Sequence, residues 1–235
     1  MKLSVVIPFY NEENMIQKMY DELVKEINQI TKAEFEIIFI NDGSKDRTFE
    51  RMLAIAAGDS RVKYISFSRN FGKEAGTIAG LEYATGEAVI LMDGDLQHPP
   101  ALLPQMIKAY EEGYDVVSAR RTRTGEKPHR TFLAKHFYRL ANKMMDIELM
   151  DGVSEFRLFS RKAVSAILSL QEYNRFSKGI FAWIGFKEKV IEYENQVRTV
   201  GETKYSLKFS LNYAIQGILS FNDKPLRMCI NFGLF

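Results

Sequence analysis

The sequence has little cysteine, little histidine and no long apolar run. Cys229 is the single cysteine among 235 residues, which excludes an internal disulfide and a cysteine metal site and is typical of a reducing compartment. His98, His129 and His136 are too scattered for a zinc site, and each is expected to be a surface or network residue. Because no stretch of about 20 apolar residues is present, no transmembrane span is predicted.

An excess of charge of one sign is also absent. The net charge is +2, so the composition gives no reason to expect a nucleic-acid partner. Hydrophobic residues make up 46% and charged residues 26% of the chain, which is ordinary for a globular α/β protein. The first predicted strand begins at residue 3, which leaves no room for a signal peptide. The length suits one large domain, alone or with an appendage.

Strands and helices alternate through the first half of the chain. Predicted strands cover residues 3–8, 35–40, 62–67, 88–92 and 114–119. Predicted helices cover residues 16–30, 45–57, 73–85, 101–112 and 131–146. This alternation predicts a three-layer α/β/α domain with a mostly parallel sheet, whose ligands bind beyond the carboxyl ends of the strands.

An acidic motif follows the apolar strand 88–92. Asp93, Asp95 and Gln97 alternate, so they would share one side of an extended backbone. Two carboxylates without a basic neighbour in the same stretch repel each other unless a cation lies between them, and oxygen ligands suit Mg²⁺ or Mn²⁺. The alternative is a solvated acidic turn, which is the better interpretation of an isolated pair of this kind. The flanking motifs favour the metal site.

Three segments carry a family resemblance, namely Val5–Glu12, Asn41–Ser44 and Met92–Pro99. Together they resemble the family 2 glycosyltransferases of GT-A fold, which have a Rossmann-like architecture. Within that family the chain is most similar to enzymes that move a sugar from a nucleotide to a polyprenyl phosphate, the dolichyl-phosphate mannose synthases and bactoprenol glucosyltransferases. The resemblance extends over essentially the whole chain, with the motifs in the expected order.

The resemblance implies a set of donor-binding residues. Pro8, Tyr10 and Glu12 would line the nucleoside pocket, Asp42 would bind the base, and Lys73 would lie near a phosphate or the base. Asp93 would hold the ribose or the metal, while Asp95 and Gln97 would hold Mg²⁺ or Mn²⁺ on the diphosphate. Without the family resemblance, the segment Pro8–Glu12 could simply end a strand and cap a helix with Asn11, and Asp42 could be a turn residue.

The acceptor side is predicted from the same resemblance. Arg120 and Arg130 match arginines that face the acceptor phosphate, and Arg198 and Lys204 belong to a loop that would approach one of the phosphates. Glu155 stands where relatives carry an Asp that is assigned as the base, and Asp151 is a rival for that role. Each basic segment could instead be a solvated loop. A phosphomonoester is largely dianionic at neutral pH, so it needs positioning more than deprotonation.

The chain is expected to consist of a catalytic domain followed by an amphipathic segment. Residues 1–205 would form the GT-A catalytic domain, in which Phe176, Phe181 and Trp183 are expected to be core or packing aromatics, with a sugar platform as the alternative. Residues 206–235 have helical apolar spacing and would form an amphipathic juxtamembrane segment, with packing on the domain as the alternative. The chain would be truncated before transmembrane helices, or be a short member that only touches the membrane.

The function expected from the resemblance is metal-dependent, inverting transfer of a sugar from UDP-glucose or UDP-N-acetylglucosamine to undecaprenyl phosphate. It would take place at the cytoplasmic face of the cell membrane. The expected partners are the nucleotide-sugar donor, the polyprenyl phosphate acceptor and the membrane surface, with self-association left open. Two alternatives remain, a glycosyltransferase of the same fold with a soluble saccharide acceptor and a nucleotide-sugar-binding protein without turnover.

Overall fold

The computed structural model describes residues 1–122, 138–139, 142–143, 145, 147–172, 175–194, 217, 220–222 and 224–233. The strands are β1 (Lys2–Phe9), β2 (Glu34–Asn41), β3 (Val62–Ser66), β4 (Ala88–Leu91), β5 (Val116–Arg121), β6 (Val153–Ser160) and β7 (Glu188–Tyr193). The helices are α1 (Ile16–Ile27), α2 (Thr48–Gly58), α3 (Lys73–Tyr83), α4 (Leu103–Glu111), α5 (Arg161–Ser169), α6 (Ser177–Trp183) and α7 (Lys224–Gly233). A 3₁₀ turn over Pro100–Leu102 leads into α4.

These strands form one sheet of seven in the order β3-β2-β1-β4-β6-β5-β7. β6 is antiparallel to both of its neighbours, β4 and β5, and the other pairs are parallel. The carboxyl ends of six strands and the amino end of β6 therefore meet at one edge. The predicted mostly parallel sheet is confirmed.

Two apolar clusters cover the two faces of the sheet. One joins the sheet to α1, α2 and α4, and the other joins it to α3, α5 and α6. The strands of such a sheet are buried on both faces, which explains why β1, β2 and β4 are almost continuously apolar. This arrangement confirms the three-layer α/β/α prediction.

Glycine allows α3 to approach the sheet closely. A Cβ atom on Gly80 would lie 2.1 Å from Cγ1 of Val6 and 3.0 Å from Cδ1 of Ile40. The position therefore has no space for a side chain, and α3 lies directly on β1 and β2. Its first residue, Lys73, is thereby held at the carboxyl edge of the sheet.

A buried carboxylate joins the strands at the opposite edge. Glu36 accepts hydrogen bonds from Ser4 Oγ at 2.5 Å, Lys63 Nζ at 2.7 Å and Thr85 N at 2.6 Å. Burial alone would raise the pKa of Glu36, but these donors outweigh it and lower the pKa to about 2. The charge is thus satisfied within the protein.

Several predicted boundaries shift, and each shift has a local cause. α2 starts at Thr48 rather than 45, because Asn11 and Asn41 side chains accept hydrogen bonds from Lys45 N and Ser44 N in the preceding turn. For the same reason Asn11 does not cap α1, which begins at Ile16. The predicted helix 131–146 lies mostly outside the described residues.

Trp183 is 56% exposed at the end of the short helix α6, so it is not a core residue, but its ring packs against Phe221 with 6.1 Å between the ring centroids. Phe176 and Phe181 are buried, as expected for packing residues. Among the described residues, no helix has the length and apolar character needed to cross a bilayer.

Candidate active site

Chemistry-bearing residues gather at the edge where six strands end and β6 begins. This edge carries Tyr10 after β1, Asp42 after β2, Lys73 after β3, Asp93 to His98 after β4, Arg120 at the end of β5, Glu155 near the start of β6 and Tyr193 at the end of β7. Residues that are remote in sequence become neighbours for this reason alone. The location agrees with the rule that ligands of such sheets bind beyond the strand ends.

The centre of the site is an ammonium group between two carboxylates. Lys73 Nζ lies 2.5 Å from Asp93 Oδ1 and 2.7 Å from Glu155 Oε2. Leu91 pairs with Arg157 across β4 and β6, and continuing this register by two residues places Asp93 opposite Glu155. Burial would lower the pKa of Lys73, but the two carboxylates raise it well above its usual value. Lys73 therefore stays protonated and positively charged.

The second oxygen of Asp93 faces a histidine. His98 Nε2 lies 3.4 Å from Asp93 Oδ2, and His98 Nδ1 lies 2.5 Å from the hydroxyl of Tyr193. Burial would raise the pKa of Asp93, but Lys73 and His98 outweigh it and hold the pKa well below its usual range. Asp93 is thus an ionised carboxylate with both oxygens oriented by the protein, and His98 is the network residue that the sequence predicted.

Asp95 and Gln97 form a separate turn beside this centre. The carboxylate of Asp95 accepts hydrogen bonds from Gln97 N at 3.1 Å and Gln97 Nε2 at 2.6 Å. Leu96, between them, has a φ of 57°, and a Cβ on Gly94 would lie 2.3 Å from the Phe9 ring, so the turn is tightly shaped. In the described part of the chain, no three carboxylate, histidine or cysteine side chains could hold a metal ion together.

This donor set fits a divalent ion shared with a bound phosphate. Mg²⁺ and Mn²⁺ in nucleotide sites are commonly held by one or two carboxylates, with phosphate oxygens and water completing the shell. Among the described residues, the carboxylate of Asp95 accepts hydrogen bonds from two amides of its own turn and forms no ion pair. Asp93 and Gln97 lie two positions before and after it in the chain. The site is suited to a metal that arrives with an anionic ligand.

A cavity of about 580 Å³ opens at the same edge of the sheet, between the ends of β1, β2 and β3. Its lining includes Tyr10, Asn41, Ser44, Arg69 and Asn70, which offer an aromatic ring, amides, a hydroxyl and a guanidinium. Such a mixed surface suits a heterocycle with several polar atoms. Tyr10, predicted at the nucleoside pocket, lies in this wall.

Asp42 acts on the adjacent loop. Asp42 is 4% exposed, and its carboxylate accepts hydrogen bonds from Phe71 N at 2.7 Å and Gly72 N at 3.0 Å. Burial raises the pKa of Asp42, and the two amides offset this only in part. Gly72 has a φ of 95°, which favours glycine, so the carboxylate and the glycine together fix the backbone just before Lys73.

A second group of charged residues lies on β5, β6 and β7. Arg120 pairs with Glu192 of β7. Buried Arg157 lies 3.5 Å from Glu188 and, together with Leu149 and Trp183, lines a second cavity of about 380 Å³. Burial lowers the pKa of Arg157 despite the neighbouring carboxylates of Glu188 and Glu155. This cavity combines charged and apolar surface.

The remaining predicted residues divide into two groups. Pro8 pairs with Ile40 in the ladder, and Glu12 follows β1, where its backbone N–H donates to Thr48 Oγ1 at 2.8 Å. Asp151 lies in the turn before β6. Arg130, Arg198 and Lys204 lie outside the described residues. Sequence reasoning did not assign Tyr193, since no local pattern links it to His98.

The fold matches solved glycosyltransferases. Glucosyl-3-phosphoglycerate synthase from Mycobacterium tuberculosis, solved with Mn²⁺, uridine diphosphate and glucosyl-3-phosphoglycerate, superposes with a TM-score of 0.60. The two are 21% identical, and the match covers 92% of this chain and 77% of that one. The likeness shows that this chain has the GT-A fold of that enzyme.

Sequence comparison gives the family. The model of glycosyl transferase family 2 matches residues 4–168, so the chain belongs to that family and is a glycosyltransferase. The Bacillus subtilis (strain 168) protein CsbB, whose name describes it as a glycosyltransferase, is 52% identical over 99% of this chain and 70% of its own length. The bactoprenol glucosyl transferase of Shigella phage SfX is 42% identical over 100% of this chain and 77% of its own length.

Proposed function

We propose that this glycosyltransferase moves a sugar, glucose or N-acetylglucosamine, from a UDP-sugar to a polyprenyl phosphate such as undecaprenyl phosphate, with inversion at the anomeric carbon. The observation that carries the proposal is the group formed by Asp93, Asp95, Glu155 and Lys73 at one strand edge. It belongs to a chain that is 42% identical over its whole length to a bactoprenol glucosyl transferase. The comparison supports the acceptor class, and the residues support the chemistry.

The donor would lie across the ends of β1 to β4. The base and ribose would occupy the 580 Å³ cavity lined by Tyr10 and Asn41. The diphosphate would then be directed towards Asp95 and Gln97. Asp95, with Gln97 and Asp93, would hold a divalent cation on that diphosphate. When bound, such a cation neutralises the charge that builds up on the departing nucleoside diphosphate. The M. tuberculosis enzyme with UDP and Mn²⁺ supports this choice of ligands.

The acceptor would approach over β5 and β6. Its phosphate oxygen forms a bond to the anomeric carbon while the bond from that carbon to the diphosphate breaks and the nucleoside diphosphate leaves. Attack on the face opposite the leaving group inverts the anomeric configuration. Arg120, at the end of β5, and Arg130, Arg198 and Lys204 would gather the phosphate, since guanidinium groups form forked, charge-assisted hydrogen bonds with it.

Glu155 would position the acceptor instead of removing a proton from it. Its carboxylate is 2.7 Å from the Lys73 ammonium, and a phosphate that is already largely dianionic needs no base. A soluble saccharide acceptor would need one, because a hydroxyl must lose its proton during attack. The acceptor thus determines which role Glu155 has.

The test is a transfer assay with UDP-glucose or UDP-N-acetylglucosamine, Mn²⁺ and an undecaprenyl phosphate analogue, read by UDP release and by the anomeric configuration of the product. Asp95→Asn should reduce transfer by roughly a hundredfold or more, because it removes the negative charge of the carboxylate that would bind the metal ion. Its melting temperature should stay close to that of the unmodified protein.

Asp21→Asn, at an exposed position of α1, is the matched control and should keep full activity. Near-normal turnover of the Asp95→Asn variant would refute the metal assignment. Transfer to short saccharides without lipid phosphate would favour the soluble acceptor. Nucleotide-sugar binding without any transfer would favour a binding protein.

A further inference from the structure

The position of Lys73 bears on how the metal enters the site. Its ammonium lies between Asp93 and Glu155 at 2.5 Å and 2.7 Å, while Asp93 presents its other oxygen to His98 at 3.4 Å. A cation that binds Asp93 through Oδ1 must therefore displace Lys73. The acidic pair already has a positive partner that belongs to the protein.

The surroundings of Lys73 fix its backbone but not the end of its side chain. Asp42 binds the amides of Phe71 and Gly72, and Gly80 seats α3 directly on β1 and β2, so the start of the helix cannot shift easily. The side chain is 32% exposed and carries its charge on four flexible methylene groups. The ammonium can leave the carboxylates while the helix stays in place.

We propose that Lys73 is a resident cation that occupies the acidic centre of the free enzyme and yields it only when metal and nucleoside diphosphate arrive together. The inference rests on the proposed donor site. A divalent ion alone must displace the ammonium without offering it a new anion. A metal–diphosphate complex offers the phosphate oxygens as that replacement. Metal binding then depends on nucleotide, and Lys73 moves from carboxylate to diphosphate as the donor binds.

The proposal predicts opposite effects on two ligands. Lys73→Met should bind Mn²⁺ about tenfold or more tightly in the absence of nucleotide, because repulsion between an ammonium and a divalent ion a few ångström apart is lost. The same variant should bind UDP about tenfold more weakly at saturating Mn²⁺, because the diphosphate loses a cationic partner. A residue that only held the fold together would weaken both.

The measurement uses the full chain, with Mn²⁺ binding followed by electron paramagnetic resonance and UDP binding by calorimetry, each at one pH. Lys73→Arg keeps the charge and should stay within about threefold of the unmodified protein for Mn²⁺. Lys18→Met changes the net charge equally at an exposed site on α1 and should leave both affinities unchanged.

The outcomes separate this inference from the proposed function. Unchanged or weaker Mn²⁺ binding by the Lys73→Met variant would overturn the resident-cation role. The proposed metal site would still stand in that case if Mn²⁺ binds together with UDP and the Asp95→Asn change abolishes this binding. Tighter Mn²⁺ binding combined with tighter UDP binding would also overturn it. If Asp95→Asn leaves Mn²⁺ binding unchanged both with and without UDP, the metal site itself is wrong and both proposals fail.

Discussion

Glu36 places a nearly buried charge at the edge of the sheet remote from the active site. Its pKa of about 2 lies below the ordinary 4.5, so the folded state holds the charged form more tightly than the unfolded chain does. The resulting stabilisation is complete above the unfolded pKa and is lost as the pH falls through the folded pKa. The relevant window is therefore roughly pH 4.5 down to pH 2.

The Glu36→Gln variant should lack this pH dependence. In the unmodified protein the group should contribute about 3 kcal/mol to the free energy of unfolding at neutral pH, and that share should vanish near pH 2. Urea unfolding at pH 7, 4 and 2.5 measures the difference between the two proteins, which should narrow steadily. Glu22→Gln, in an exposed pair with Lys25, is the control. A constant difference across the range would contradict the assignment.

The active-site residues show what single positions in a sequence can and cannot predict. Asp93, Asp95 and Gln97 could be predicted because they lie in one short motif after an apolar strand. The pairing of Lys73 with Glu155 could not, since 82 positions separate them and only the order of the strands brings them together. The link from His98 to Tyr193 is hidden for the same reason.

Helix α3 depends on glycine for its contact with the sheet. Gly80→Ala should destabilise the protein by about 1–3 kcal/mol, since its Cβ would lie 2.1 Å from Val6 Cγ1 in a close-packed core. Gly58→Ala is the matched control at the end of α2, where a Cβ would meet nothing within 4 Å. That change should be neutral or stabilise by up to about 1 kcal/mol.

Denaturant unfolding of both variants measures the two effects. Equal stability of Gly80→Ala and the unmodified protein would show that α3 can move away from β1 without cost. Gly80→Ala should also weaken UDP binding, since a displaced α3 carries Lys73 with it.

The elements were predictable where the period of apolar residues was clear. β1 to β5 and α1 to α4 follow from alternating apolar strands and amphipathic helices, although their ends shifted by up to three residues. β6 was not predicted as a strand, because Ser154, Glu155 and Arg157 interrupt its apolar run with functional side chains. Its antiparallel position between β4 and β5 is set by tertiary packing, so no local sequence pattern predicts it.

The surface of the protein carries an exposed apolar pair on α7. Ile230 is 52% and Phe232 is 79% exposed. The segment 206–235 was predicted to lie at a membrane, and most of it lies outside the described residues. An exposed apolar pair of this kind favours insertion into the apolar part of a bilayer. Full burial of such a side chain contributes about 1.5–3 kcal/mol to the free energy of binding.

Sedimentation with phosphatidylglycerol vesicles tests that role. The unmodified chain should bind the vesicles, and the double variant Ile230→Ser, Phe232→Ser should bind roughly tenfold or more weakly, because it loses the apolar anchor. A second double variant, Leu53→Ser with Tyr83→Ser, removes exposed apolar residues elsewhere and should bind normally. Equal binding by all three proteins would place the contact outside this helix.

The ladder between β4 and β6 has a consequence for how enzymes of this design can diverge. Glu155 faces Asp93 through the register of the two strands, and the lengths of the loops on either side of β6 do not set that relation. The loops on either side of β6 can thus lengthen, shorten or change composition while the two carboxylates keep their spacing. One residue inserted between Glu155 and Arg157 would instead turn Glu155 to the other face of the sheet. The loops around β6 can therefore vary in length, whereas the part of the strand that carries Glu155 cannot.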